Sequence, residues 1–198
     1  MYTTTVANTN FIITTESIFL ALLGYFILRE KIKSITLISI ILGMLGVLLI
    51  LGSSLSIQTS EQFLGNLVAF VMPISFAVLV IIVRKFPKID MVPAQVTAGI
   101  IAALIGYLVA GQLLISPHDI FLGFIAGTFQ LALGFILITI GSQNTPAAVV
   151  GIMMLTEAVL GPIWAWLFLN EIPPTSVILG GGIIIFAILF EFLLSKKE

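Results

Sequence analysis

Thr156–Glu171 reads TEAVLGPIWAWLFLNE, and Thr15–Glu30 reads TESIFLALLGYFILRE. The two stretches superpose without a gap at an offset of 141 residues (156 minus 15). Thr15 matches Thr156, Glu16 matches Glu157, Leu28 matches Leu169 and Glu30 matches Glu171. Each copy has a carboxylate within an apolar run and a second carboxylate where the run ends. An internal repeat has to be recognised before the fold is read, because it sets the architecture. Duplicated hydrophobic halves are the sequence mark of many transporter folds.

Working outward, composition fixes the solvent. Of 198 residues, 60% are hydrophobic and 9% charged, and the mean hydropathy is +1.26. An ordinary globular domain carries about 25% charged residues, so this chain has too little polar surface to face water and belongs in a lipid bilayer. Its net charge of −1 says nothing about partners, because the distribution of charge carries that information and the sum does not; no nucleic-acid partner is expected. With no cysteine there is no disulfide framework, thiolate nucleophile or Cys metal site, and the single histidine, His118, excludes a His cluster. The sequence therefore implies neither a metal nor a cofactor.

Seven apolar runs follow one another: 6–28, 35–51, 63–83, 93–115, 120–140, 147–169 and 176–194. Each is roughly 17–23 residues, the length with which a helix crosses about 30 Å of hydrocarbon. β-branched residues are abundant, but open strands cannot satisfy their backbone in lipid. The fold class is all-α, a polytopic helical membrane protein with seven transmembrane helices. Pro93 opens the fourth run as a first-turn proline. The N-terminus lacks the basic region of a cleavable signal peptide.

If the runs alternate across the membrane, all eight basic residues fall on one side. Arg29, Lys31 and Lys33 follow run one, Arg84, Lys85 and Lys88 follow run three, and Lys196 and Lys197 follow run seven. The opposite loops, GSSLSIQTSEQ, SPHD and NEIPPT, have none. The positive-inside rule makes the basic side cytoplasmic, with the C-terminus inside and Met1 outside. Glu30 then lies in a cytoplasmic loop and Glu171 in an external one, so the two copies cross the membrane in opposite senses. Inverted repeats place a binding site near the midplane and rock one half against the other to give alternating access.

TESIFLALLGYFILREK followed by ILGMLG, and TEAVLGPIWAWLFLNE followed by ILGGG, resemble the EamA-type repeat of the drug/metabolite transporter superfamily. The resemblance implies a ten-helix carrier of small metabolites in the inner membrane, made of two inverted five-helix repeats. On that pattern residues 1–54 hold the last two helices of a first repeat and 63–198 a complete second one. Three further helices are expected upstream, so the chain reads as a fragment or truncated frame. Partners on this reading are the lipid bilayer, a small-molecule metabolite, a coupling proton and, as in small dimeric relatives of the superfamily, a second copy in a homodimer.

Within the membrane, Glu16 and Glu157 lie near the centres of runs one and six. A carboxylate there costs about 2.5–3.5 kcal/mol on insertion scales, so it usually faces an interior cavity. The functional reading is a residue that binds a proton or cation; the bland one is a hydrogen-bonded glutamate locking helices together with Thr15 or Thr156. Glu157 is favoured because its repeat is the more complete. Pro162 lies about 7.5 Å further along the axis and is expected to kink the helix there. Trp164, on the Glu157 face, is the expected pocket wall. Trp166 is rotated by about 200° and with Tyr25 suits the lipid interface. Pro73 should kink run three.

Of the neutral polar residues Asn66, Gln95, Thr97, Thr128 and Gln130, interhelical hydrogen bonding is the commoner use. Gln130 is the best candidate for a substrate path because it is mid-span. Glu30 and Glu171 end their runs where the helix dipole disfavours an anion, a recurrence with no account in the sequence. Glu191 is expected to snorkel toward Lys196. Gly43, Gly46 and Gly180-Gly181-Gly182 read as helix-packing surfaces.

These residues favour a secondary carrier, exporter or importer, over a non-transporting membrane subunit. An intramembrane enzyme lacks a nucleophile–base pair, a metal cluster and a phosphate loop.

Overall fold

The computed structural model describes residues 6–51, 60–110, 116–170 and 172–194. Among the described residues there is no β-strand, and seven stretches are helical, long and apolar enough to cross a membrane: 9–28, 34–51, 63–85, 92–109, 117–142, 147–168 and 175–194. They coincide with the seven runs. Most large apolar side chains lie on the outside. In water that surface would be prohibitive; in a bilayer it is the lipid-facing face. The protein is thus an integral membrane protein.

Several spans are built from two helices in series. Span one comprises α1 (Val6–Thr14) and α2 (Glu16–Leu28), and span two is α3 (Ser34–Leu51). Span three is α4 (Ser60–Ala69) and α5 (Val71–Lys85), separated at Phe70. That break lies three residues before Pro73, which has no N–H to return to the preceding turn. Span four is α6 (Val92–Val109), with its proline in the first turn as expected. Span five opens with α7 (Pro117–Ile125), passes through a π-helical segment (Ala126–Ala132) and ends as α8 (Leu133–Ser142). The Ser116 hydroxyl starts α7 by accepting from the Asp119 N–H at 3.1 Å, a side-chain N-cap. Span six is α9 (Ala147–Met154) and α10 (Thr156–Leu169), and span seven is α11 (Thr175–Leu194).

The chain forms two compact units, one of residues 1–82 and 145–198, the other of 83–144. In the larger unit α3 and α11 form the most extensive helix pair. They run antiparallel, since Thr36 meets Glu191 while Gly46 meets Gly180. A Cβ at Gly46 would sit 2.7 Å from the Gly180 carbonyl oxygen, and one at Gly180 would sit 2.5 Å from the Gly46 carbonyl oxygen. Only glycine allows two backbones so close, the small-residue packing that holds helices together in lipid. Gly43 likewise makes room for Leu155, whereas Gly182 faces open space and takes no part in the packing surface expected of it. Val47, Ile50, Leu155 and Ile184 form the buried cluster beneath. A second cluster, Ala21, Ile40, Ala148 and Ile152, joins α2, α3 and α9.

Glu191 departs from expectation. It does not snorkel but is 1% exposed, and one carboxylate oxygen accepts a 2.9 Å hydrogen bond from the Thr36 hydroxyl. A partner on the neighbouring helix holds it inside the pair.

In the smaller unit Gln95 donates to the Thr139 hydroxyl and, at 3.5 Å, to the Phe135 carbonyl, joining α6 to α8. The bland reading of Gln95 holds. Arg84 donates to the Gln143 carbonyl at 3.1 Å, placing a cation at the C-terminal end of α8, where the dipole favours it.

Candidate functional site

The repeat seen in the sequence recurs in the backbone. α3 starts at Ser34 and α11 at Thr175, 141 apart (175 minus 34). Both long spans are interrupted just before their carboxylate. At Thr15 the N–H bonds to the Ile12 carbonyl at 3.1 Å, and at Leu155 the N–H bonds to Ile152 at 3.2 Å. These are tight three-residue turns in place of an α-turn. The Thr15 hydroxyl donates to the Ile12 carbonyl, and the Thr156 hydroxyl to the Met153 carbonyl at 2.7 Å, partners again 141 apart. The threonine closes the end of one half-helix, and the glutamate follows in the first turn of the next. An anion there complements the N-terminal end of the dipole. This is the local reason for Thr-Glu in both copies.

The interruption in span six lies at Leu155 and not at Pro162, around which α10 is continuous from Thr156 to Leu169. Neither break contains a proline, so no residue type announced them. The far ends match too. Arg29 (φ 57°) and Asn170 (φ 56°) are both left-handed, each sending its N–H back five residues, to the Gly24 and Ala165 carbonyls. Such left-handed caps terminate helices firmly.

The environments of the two carboxylates differ. Glu16 is 5% exposed, whereas Glu157 is exposed. They occupy matching places, each at the start of the half-helix that follows the break in its span. Pro162 is half-buried in the turn beyond Glu157, and Trp164 is exposed and stacked on Phe168, with ring centroids 5.6 Å apart. Gln130 lies in the other unit, exposed, inside the π-helical segment. Such segments are rare and often mark functional positions. Glu171 lies outside the described residues.

Glu30 gains the account that its own helix could not give. Its Oε2 accepts the N–H of Ala147 at 2.8 Å, capping the start of α9. An anion at the end of one helix thus serves the N-terminal end of another. The residue before Ala147 is Pro146, and no side chain of the N-cap position satisfies α9. That missing local cap was the one sequence signal that an outside acceptor was needed. Beside this contact lies a cavity of about 150 Å³ lined by Gly24, Tyr25, Lys31, Lys33, Thr36 and Val149, among others. It lies at the helix ends and not at the central glutamates.

The profile of the EamA-like transporter family matches residues 1–52 and 59–193. An uncharacterized transporter of Clostridium kluyveri is 28% identical over 195 residues, covering 92% of this chain and 62% of its own length. One from Methanothermobacter thermautotrophicus is 28% identical over 186 residues, covering 89% of this chain and 53% of its own. The chain thus spans between half and two thirds of these relatives. A solved crystal structure superposes with a TM-score of 0.83 over 96% of this chain and 69% of that one, at 16% identity, a likeness of fold. With nearly its whole length matched by one profile, the chain belongs to the EamA-like transporter family.

Proposed function

We propose that the chain works in secondary-active transport of a small metabolite by alternating access, with Glu16 and Glu157 carrying a coupling proton or a cationic group of the substrate. The observation that carries this reading is the pair of interrupted spans, each with a carboxylate opening its second half-helix. Discontinuous helices near the midplane are where transporter folds bind substrate and ions, and a buried carboxylate such as Glu16 within a span is a candidate for a proton or cation path. In this reading residues 1–54 close one five-helix repeat, 63–198 form the other, Pro162 and Trp164 border the path, and Gln130 is a separate candidate within the smaller unit. The basic loops face the cytoplasm across the plasma or inner membrane, with the C-terminus inside.

The test is flux. The purified chain in liposomes is given a panel of radiolabelled amino acids, nucleosides and sugar phosphates, with and without an imposed pH gradient. Gradient-driven accumulation of one class supports the reading. No accumulation of any of them by folded protein would favour a non-transporting membrane subunit.

A further inference from the structure

We propose that Glu30 is a latch that holds α2 against α9, and so a positioning residue for the opening of that side of the protein. For its part in transport this rests on the alternating-access reading above; its geometry stands without it.

Ala147 is wholly buried, and its N–H belongs to the first turn of a helix, where no intrahelical acceptor exists. Burial of an N–H with no partner is costly in lipid. The Glu30 carboxylate removes that cost, but only while α2 and α9 touch. The contact is close because residue 24 is glycine: a Cβ there would lie 3.0 Å from the Ala147 Cβ and 3.4 Å from the Glu30 oxygen. Further along the same helix pair, a Cβ at Gly151 would meet the Ser17 backbone at 2.7 Å. Thus the charge-assisted bond at the ends and the glycine contacts along the faces form or break together.

The repeat supplies the comparison. Shifted by 141, the pair α2 and α9 becomes α10 and α1, which are not packed to a comparable extent. Ala165 stands where Gly24 does, and Asn10 where Gly151 does. One end of the inverted repeat is closed by small residues and a carboxylate cap; at its counterpart the small residues are replaced, and Glu171 lies outside the described residues. Opening the closed end requires α2 and α9 to part, which breaks the bond from Ala147 to Glu30. Lys31 and Lys33 line the cavity at this end, giving the released carboxylate cationic neighbours.

The chain has no native cysteine, so a single reporter can be read cleanly. Ser17→Cys is nearly isosteric, fully buried and set against Gly151. Ser39→Cys, equally buried but on α3, is the control for general loosening. Alkylation by N-ethylmaleimide is timed in membranes of the full chain. Glu30→Ala should speed reaction at Ser17→Cys about tenfold, the scale of one lost charge-assisted hydrogen bond, and leave Ser39→Cys unchanged. Glu30→Gln keeps an acceptor oxygen and should fall between; it also decides the matter if the alanine variant does not fold. Equal rates at Ser17→Cys with glutamate, glutamine and alanine, or parallel increases at both reporters, overturn the latch. Faster reaction at Ser17→Cys in a protein that carries no solute in vesicles keeps the latch and removes the transport reading.

Discussion

Spans one and six are two copies of one plan placed in different surroundings. Their helices break at nearly equivalent turns and end in the same left-handed cap. Yet Glu16 is buried and Glu157 exposed, and Ser17 is fully buried while its counterpart Ala158 is only half-buried. Local chemistry, threonine before glutamate and a polar stop, sets the backbone of each copy. Packing partners set the environment, and those come from elsewhere in the chain. On the alternating-access reading proposed above, symmetric sequence with asymmetric packing is what a carrier closed at one end requires.

The largest effect that separates the copies is expected at the exposed glutamate. Glu157→Gln keeps size and hydrogen bonding but cannot titrate. It should abolish the dependence of accumulation on the pH gradient while expression and thermal stability stay near wild type, since surface changes are usually within about 0.5 kcal/mol. Undiminished uphill accumulation by this variant would end the proton role. Failure to insert would make the residue structural.

The inversion itself can be broken by sidedness. A cysteine at His118, exposed at the start of α7, should react with an impermeant thiol reagent from outside the cell. One at Lys88, also exposed, should react only after the membrane is opened. The opposite pattern would reverse the whole orientation, and labelling of both from outside would break the alternation of spans.

Next in size is packing. Ser17→Leu places a large side chain where the backbone of α2 already lies against Gly151. Overpacking of this kind costs about 1–3 kcal/mol. Ala158→Leu, at the matching site on α10, should cost less than about 1 kcal/mol because the position is only partly enclosed. Thermal unfolding in detergent compares them directly. Equal losses would mean that the two faces are packed alike, contrary to the structure.

Much of this was legible from the chain alone. Seven spans follow from length and hydropathy, since lipid leaves a long apolar segment little choice but helix. The repeat emerged because Thr-Glu and the terminal Glu are rare polar marks in an apolar background. What stayed hidden depends on partners distant in sequence. The bond from Ala147 to Glu30 links residues 117 apart, and that from Thr36 to Glu191 links residues 155 apart. Hydropathy put Glu191 near the interface and so suggested snorkelling; only the helix opposite shows why it is buried. Pro162 drew attention as a breaker, but the turns that interrupt both spans contain no proline, and their threonines signal them only once the repeat is aligned.

The smallest effect compares the two left-handed ends. Arg29 and Asn170 hold nearly the same positive φ, 57° and 56°, but they do not suffer equally from it. For most L-residues this region costs about 1–2 kcal/mol, because Cβ crowds the following carbonyl oxygen, whereas asparagine visits it more readily through local hydrogen bonds. Glycine removes the crowding, at the expense of extra freedom in the unfolded chain. Both side chains are exposed, so little packing is lost with either. Arg29→Gly should therefore stabilise by about 0.5–1 kcal/mol, and Asn170→Gly by a few tenths at most, a helix-end difference of about the size expected from conformational strain alone. Unfolding of the two variants against the parent, in one detergent and at one pH, measures it. A larger gain at Asn170 than at Arg29 would show that the ends differ by something other than backbone conformation, and the likeness of the two copies would then stop short of their caps.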